Sequence, residues 1–590
     1  MNLRLKLLLC VLCASLGHPV RAQPANAPLL PLTELQPGMT GEVWTVFKGS
    51  TPEPFTVQVT GILRNALGPG KSMILCELTD SRVQLMGAVA GMSGSPLYIG
   101  GKLAGVLSYQ IQHFETVRYA GFTPIGDMIE VSSLPPGKDN SLPTPIPVRG
   151  ERTGRAAGTP PMQFTPMTPA FSLGGLAPNV ASALEPEFDA LGLNVTALGG
   201  NAGGGEAAGE IPAPKALHPG DVVAVALAVG DISLSGTGTV SHVDGNRILA
   251  FGHPMLSLGA AELPMASAEI VTILPSQYSS VKISNTGGII GTFSQDRLSG
   301  IYGELGRAPQ MVPVEVDFPS RANRKTLHFS VVRNEQVLPL IAASGLTQAV
   351  MGSNESGFAR GFKVTTTVDF PGTAPVELAQ LYPGPQGFRQ GLGDFVSNLS
   401  LWLFNPYARV FPDRIRFSVE DTPENPQASV EQMLVSRAEA APGERVALTV
   451  GWRGYQSDSA SENVSLEVPR EWAGKQLEVI LTTGPALDEL TGRSHAVPVA
   501  QLRSFEEYIS ALRDFRASDG LYLAVVEKTR LLTDQRATTP EMPGSLARIA
   551  SGADEARFQR REALATLWEK HLLPGRLFNI LVRRPFAITD

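Results

Sequence analysis

The chain has 590 residues, a net charge of −7, and only 17% charged residues against 43% hydrophobic ones. That length supports about three or four domains, and 60 glycines with 47 prolines suit short strands and many turns rather than long surface helices. No basic block is present to meet a phosphate backbone, which argues against a nucleic-acid partner.

Met1 to Ala22 reads as a secretory signal. Arg4 and Lys6 precede the apolar run Leu7 to Leu16, and Val20-Arg21-Ala22 offers a small-residue cleavage site. Neither Cys10 nor Cys13 follows the small residue that a lipoprotein signal carries. No stretch reaches the roughly 20 apolar residues needed to span a bilayer, so no integral membrane segment is expected after cleavage. Cys76 would then be the sole cysteine, which leaves no internal disulfide and makes burial the source of stability. The expectation is an exported bacterial protein, periplasmic or extracellular. Sites such as Asn194-Val195-Thr196 would matter only in a eukaryotic secretory route.

A proline-rich leader, Pro24 to Pro37, precedes strand-like patterns at Glu42 to Phe47, Phe55 to Leu63 and Met73 to Leu78. The segment Gly91-Met92-Ser93-Gly94-Ser95-Pro96 follows. It leads into a hairpin pattern, Leu97 to Ile99 and Leu103 to Tyr109 about a Gly100-Gly101 turn. A serine between glycines on a tight bend exposes its hydroxyl and leaves neighbouring N–H groups free to point into one cavity, which suits a nucleophile and its oxyanion donors. Ala120 to Val131 reads as a strand turning into a helix. Ser132 to Pro214, with its Pro-Pro pairs and Gly199 to Gly205, reads as a long connection with one short helix at Val180 to Leu191. Such a connection could be cut by the protein itself.

Strands return at Val222 to Leu227, Gly238 to Val243 and Arg247 to Phe251, the last two joined by Asp244-Gly245-Asn246. From Val312 the chain is again rich in strand patterns, interrupted by a helix at Asp394 to Leu403, as in one or two β-sandwich modules. Two amphipathic helical patterns close it. The first puts Phe505, Tyr508, Ile509, Leu512 and Phe515 on one face, the second covers Ala553 to Leu572, and a strand at Phe578 to Arg583 would follow.

A serine hydroxyl needs a base within reach. Of the histidines after the signal, His218 ends a linker, His242 and His328 sit in strands, His113 follows the hairpin in a polar stretch, and His495 and His571 lie far downstream. His253 stands apart, in a Gly-His-Pro corner that would fix the ring's direction. A carboxylate would hold the imidazole in the right tautomer. Asp80, 13 positions before Ser93, is the first choice, with Asp296 and Asp127 as alternates.

GMSGSP with GKLAG behind it resembles the nucleophile segment of chymotrypsin-like serine peptidases, and more closely that of SpoIVB-type serine peptidases. Members of that type carry Gly-His at the end of a hairpin, Thr-Asp shortly before GMSGSP, and a glycine-rich strand leading to an Ile-Glu helix start. Here these are Gly252-His253, Thr79-Asp80 and Gly121 to Glu130; Phe293-Ser294 and Gly300-Ile301-Tyr302-Gly303 are similar too. The resemblance spans Gly41 to Gly306 apart from the linker. It implies Ser93 as nucleophile, His253 as base, Asp80 as acidic partner, and the N–H groups of Gly91 and Ser93 as the oxyanion hole. It further implies a double β-barrel core, no cofactor or metal, and a protein or peptide substrate. The family orders these residues His, Asp, Ser; here the serine half comes first, as in a circular permutation, and no PDZ module is found.

The expected architecture is therefore mainly β, a chymotrypsin-like double β-barrel followed by β-sandwich modules and a small C-terminal α+β region. The expected division is a signal at 1–22, a Ser-bearing half at 38–134, a linker at 135–214 and a His-bearing half at 215–311. A β-rich domain at 312–430, a sandwich-like domain at 431–500 and the C-terminal region at 501–590 follow. The expected activity is that of an exported serine endopeptidase. The alternative is an inactive peptidase-fold binding or scaffold protein of the cell envelope. An esterase fits less well, because the serine lacks the strand–turn–helix context of a nucleophile elbow.

Overall fold

The structure, a computed structural model, describes residues 23–24, 26–111, 117–135, 164–167, 171–193, 195–196, 200–201, 216–276, 280–320, 323–352, 360–404, 408, 410–492, 504–534, 537–540 and 558–590. The signal sequence, His113, His495, Asn194 and most of the linker lie outside these residues. The described residues are mainly β, with 51% strand and 19% helix, and contain a six-strand barrel and large sheets.

The barrel uses β1 (Thr40–Val46), β2 (Pro52–Gly68), β3 (Lys71–Leu78), β4 (Pro96–Ile99), β5 (Lys102–Ile111) and β6 (Tyr119–Pro124). They run in the order β4-β1-β2-β3-β6-β5, and β4 pairs with β5 to close the circuit. Strand alternation explains the inside: Phe55, Val57 and Val59 are buried while Thr56, Gln58 and Thr60 are exposed. They pack with Ile74, Leu78, Leu97, Leu107 and Phe122. The β4–β5 hairpin turns through Gly100 and Gly101, both at positive φ (57° and 78°), as a two-residue turn between right-twisted strands requires. One short strand from the linker region, β7 (Phe164–Pro166), is added to β5.

The second large sheet begins with β8 (Phe171–Gly174), β9 (Val195–Thr196) and β10 (Gly200–Asn201), then β11 (Val222–Gly230), β12 (Ser233–Asp244), β13 (Arg247–Ala250), β14 (Gly259–Leu274), β15 (Val281–Arg297) and β16 (Gly300–Leu305). The run β11-β14-β15-β16-β13-β12 returns to its start because β11 also pairs with β12. One face of β12 is a row of buried hydroxyls, Ser233, Ser235, Thr237, Thr239 and Ser241. Ser235 bonds Thr286 and Thr237 bonds Ser284 at 2.7 Å, so these interior hydroxyls are satisfied strand to strand.

The sheet continues without a break beyond residue 311. Strand Arg324–Val332 pairs with β11, and Met311–Pro319, Arg414–Asp421, Phe362–Asp369 and Val376–Tyr382 extend it outward. Helix Leu392–Leu403 forms where expected, with Leu399, Trp402 and Leu403 buried. A second helix, Val337–Thr347, is buried on every side; apart from Ser344 and Thr347, whose hydroxyls bond back to Leu340 O and Ala343 O, its sequence is apolar and carries no stripe to betray it.

At the C-terminal end, Ala428–Val435, Arg445–Gly454 and Ser459–Glu467 make a three-stranded sheet. Gln476–Thr482 pairs instead with Leu521–Asp534 and Leu581–Ile588, so these strands and the sheet before them share one core across the expected boundary at 500. Helix Phe505–Arg513 buries Phe505, Tyr508, Ile509 and Leu512 as its pattern predicts. The second expected helix is corrected. Phe558–Leu572 is a strand paired along its whole length with Leu521–Asp534, because long-range ladder bonds and burial of Trp568 against the sheet outweigh a local helical period. No helix among the described residues is long and apolar enough to cross a membrane.

Candidate active site

The serine segment leaves β3 through helix Ser81–Met86 and crosses to the second sheet before β4 begins. Ala90 forms a parallel bridge to Val281; its N–H donates to Ser280 O at 2.9 Å and its carbonyl accepts from Lys282 N at 3.0 Å. The bend then tightens. Gly91 (φ 98°) and Gly94 (φ 90°) occupy the left-handed region, Ser95 N and Oγ both bond Met92 O, and Gly94 N donates to Leu107 O. Ser93 O accepts the Thr239 N–H at 2.8 Å, and Ser241 Oγ donates to Gly94 O at 2.8 Å. A Cβ on Gly94 would lie 2.2 Å from Thr239 O and 2.5 Å from Phe251 N, so the two backbones touch here.

Ser93 is fully buried and its Oγ has no hydrogen-bond partner. Among the described residues neither the Gly91 N–H nor the Ser93 N–H has an acceptor. Buried donors are rarely left unpaired. Two buried N–H groups without acceptors, one on each side of Met92, are the kind of donors that an oxyanion site uses.

The histidine follows the end of β13, in a corner whose backbone at Phe251 meets the serine bend at Gly94. Phe251 is a non-glycine residue at φ 68°, Gly252 follows at 70°, and Phe251 N donates to Thr239 O at 3.3 Å. Such a left-handed aromatic residue is strained and is held here by its surroundings. Thr123 Oγ1, at the end of β6, donates to Gly252 O at 2.7 Å, and a Cβ on Gly252 would lie 2.3 Å from Ser108 Oγ. Thr239 therefore bridges the backbone of Ser93 to the Phe251–Gly252–His253 corner, while β5 and β6 of the barrel grip that corner from the other side.

His253 is fully buried. Its Nδ1 lies 2.8 Å from Pro254 O. A carbonyl only accepts, so Nδ1 carries the proton and Nε2 presents its lone pair. That Nε2 is buried without a partner, so no hydrogen bond joins it to Ser93 Oγ. Burial pushes the imidazole pKa down to about 4, with backbone groups of Pro254 and Met167 acting in the opposite direction. The ring meets Phe251 edge-on, 6.1 Å between centroids. The result is a neutral imidazole with its proton on Nδ1 and an unshared lone pair on Nε2.

No expected acid is bonded to this ring. Asp80 instead caps helix Ser81–Met86, accepting the Arg82 N–H at 2.9 Å and pairing with the guanidinium at 3.1 Å. Its burial works the other way, but the Arg82 hydrogen bonds hold its carboxyl below the usual range. Asp80 is thereby satisfied locally, and Pro254 O takes the place assigned to it at Nδ1. Asp127 pairs with Lys71 at 3.0 Å. Asp296 lies closest to the expected role, though it acts on the backbone. Its buried carboxylate accepts the N–H groups of Met255, Leu256 and Leu258 at 2.7, 2.8 and 3.1 Å, fixing the turn that follows His253. Burial raises its pKa and those N–H groups lower it.

One residue that sequence reasoning passed over is Lys282. It is buried, its stem packs 3.1 Å from where a Gly91 Cβ would sit, and its Nζ donates to Thr45 Oγ1 at 2.9 Å. Burial with no carboxylate partner pushes its pKa down to about 7. In Ser280-Val281-Lys282-Ile283-Ser284 the alternation reads as a solvent-facing row, so no local signal marks it as interior. Among the described residues no three His, Cys, Asp or Glu side chains converge as metal ligands would. Comparison with protein-family models, with curated proteins and with solved structures found no match.

Proposed function

We propose that the protein is an exported serine endopeptidase of SpoIVB-like type, its two closed strand circuits serving as the barrels of a chymotrypsin-like core. One observation carries the reading: Ser93 Oγ and His253 Nε2 are both buried and unpartnered, on segments tied together through Thr239.

In this reading His253 Nε2 takes the Ser93 hydroxyl proton as Oγ attacks a peptide carbonyl. The C–O bond forms and the oxyanion turns to the free N–H groups of Gly91 and Ser93. His253 then gives the proton to the leaving nitrogen as the C–N bond breaks, and water hydrolyses the acyl-enzyme by the same path reversed. Pro254 O steadies the imidazolium from Nδ1 in place of a carboxylate.

The test is labelling by a fluorophosphonate together with turnover of casein. Wild type should label and cleave, Ser93→Ala should do neither, and labelling that persists in Ser93→Ala would exclude Ser93. The complete burial of Ser93 and His253 favours a second reading, an inactive peptidase-fold scaffold. Absence of casein turnover by wild type, with Ser93 unlabelled, would select it.

A further inference from the structure

The strand β7 comes from the linker region, yet it is laid into the candidate site. It pairs antiparallel with β5 as Tyr109↔Pro166, Gln110↔Thr165 and Ile111↔Phe164. Strand β4 pairs with β5 only over Lys102 to Val106. β7 therefore takes the next stretch of edge, just past the point where Leu107 bonds Gly94 and Ser95 beside the serine. A register irregularity between Leu107 and Tyr109 turns the Ser108 carbonyl out of the β5–β6 ladder, and Met167 N donates to it at 2.9 Å.

Met167 ends this run at the catalytic pair. Its side chain is fully buried, in the same apolar cluster as Met92 and Leu107, the neighbours of Ser93. Its backbone lies against the His253 imidazole. An extended chain added to a sheet edge, with one side chain sunk in a pocket, is how strand-addition sites hold peptides.

We propose that Thr165–Met167 is an internal ligand of the Ser93–His253 site, occupying the groove that receives an extended peptide and placing Met167 in the pocket for the residue that supplies the acyl group. This rests on the peptidase reading above and adds two statements to it. The pocket takes an unbranched apolar side chain, because it holds methionine without a charged or polar partner. The resident segment competes with substrate, so the closed form turns over only when β7 leaves β5.

Two full-length variants test this. Met167→Asp places a charge in the apolar pocket. Thr165→Pro acts at the sheet edge: Met167 and Ser108 form a hydrogen-bonded pair, so Thr165 and Gln110, two residues along, form the next one, and proline removes its donor. The readouts are the second-order rate of Ser93 labelling by a small fluorophosphonate and hydrolysis of acetyl-Phe-Thr-Pro-X aminocoumarin amides, with X as Met or Asp. Both variants should label about tenfold faster than wild type, and the X = Met amide should be cleaved in preference to X = Asp. Labelling of Ser93 at the wild-type rate in Thr165→Pro, with an unchanged melting temperature, would overturn the proposal and leave the peptidase reading standing. Failure of every variant to label or cleave would overturn both.

Discussion

Thr239 donates its N–H to the Ser93 carbonyl at 2.8 Å while its own carbonyl accepts from Phe251 N at 3.3 Å. One residue of β12 thus fixes the distance between the serine bend and the histidine corner, though 160 positions separate Ser93 from His253 in the chain. The contact leaves no room for a side chain on Gly94.

Gly94→Ala should therefore damage both stability and the site. Its Cβ would fall 2.2 Å from Thr239 O, at φ 90° where an L-residue is strained. A loss of about 2–4 kcal/mol is expected from strain and overpacking together. Urea denaturation measures it, and a variant as stable as wild type would show that the two backbones do not touch.

His253 should leave a signature in acid. Above pH 6.5 neither the folded nor the unfolded state protonates the ring, so the group contributes nothing. Below 6.5 the unfolded chain binds a proton that the native site refuses until pH approaches about 4. Stability is lost as pH falls through that window. His253→Gln should lack this slope when the two proteins are melted side by side from pH 7 to 4. Parallel curves would show that the imidazole is not desolvated.

Lys282 should act at the alkaline end. Burial lowers its folded pKa to about 7 from the ordinary lysine value of 10.5, so between these limits the unfolded state holds the proton that the native state has lost. Stability should rise with pH across that range, and Lys282→Met should be the more stable protein at pH 6 and show a flatter profile. Chemical denaturation at pH 6, 8 and 10 reads the difference.

Asp296→Ala removes the acceptor for three backbone N–H groups after His253, leaving the buried one of Met255 and the half-buried ones of Leu256 and Leu258 unpaired. A cost of about 2–4 kcal/mol is expected, with slower fluorophosphonate labelling because the Pro254 carbonyl that steers the imidazole loses its support. Unaltered labelling would mean the turn holds its shape without the carboxylate.

Cys76 is buried in the barrel, and desolvation pushes its thiol pKa up to about 12. A native sample should not react at Cys76 with an aromatic disulfide reagent at pH 8, and should do so on unfolding in guanidinium. Fast native reaction would show that the barrel opens readily.

Much of the site was readable locally. The Gly91–Pro96 bend, the Gly100-Gly101 hairpin and the Gly-His-Pro corner are short-range devices in which turn residues and strand alternation act within a few positions. The failures have the same cause in reverse. Asp80 after a strand suits a triad or a helix cap equally, and an adjacent Arg82 decided for the cap. Ala553 to Leu572 satisfies a helical period, but a partner strand some 37 residues away claimed its described part.

The order of residues alone determined the β character, the hydroxyl on its glycine bend and the histidine on its corner, because each depends on local conformational preference and apolar spacing. Only the tertiary structure decided that Thr239 joins them, that a carbonyl rather than a carboxylate holds Nδ1, that Lys282 lies inside, and that Met167 is buried beside β5. Those outcomes depend on which distant strands pair and on what their pairing removes from water, and neither is encoded in any single stretch of chain.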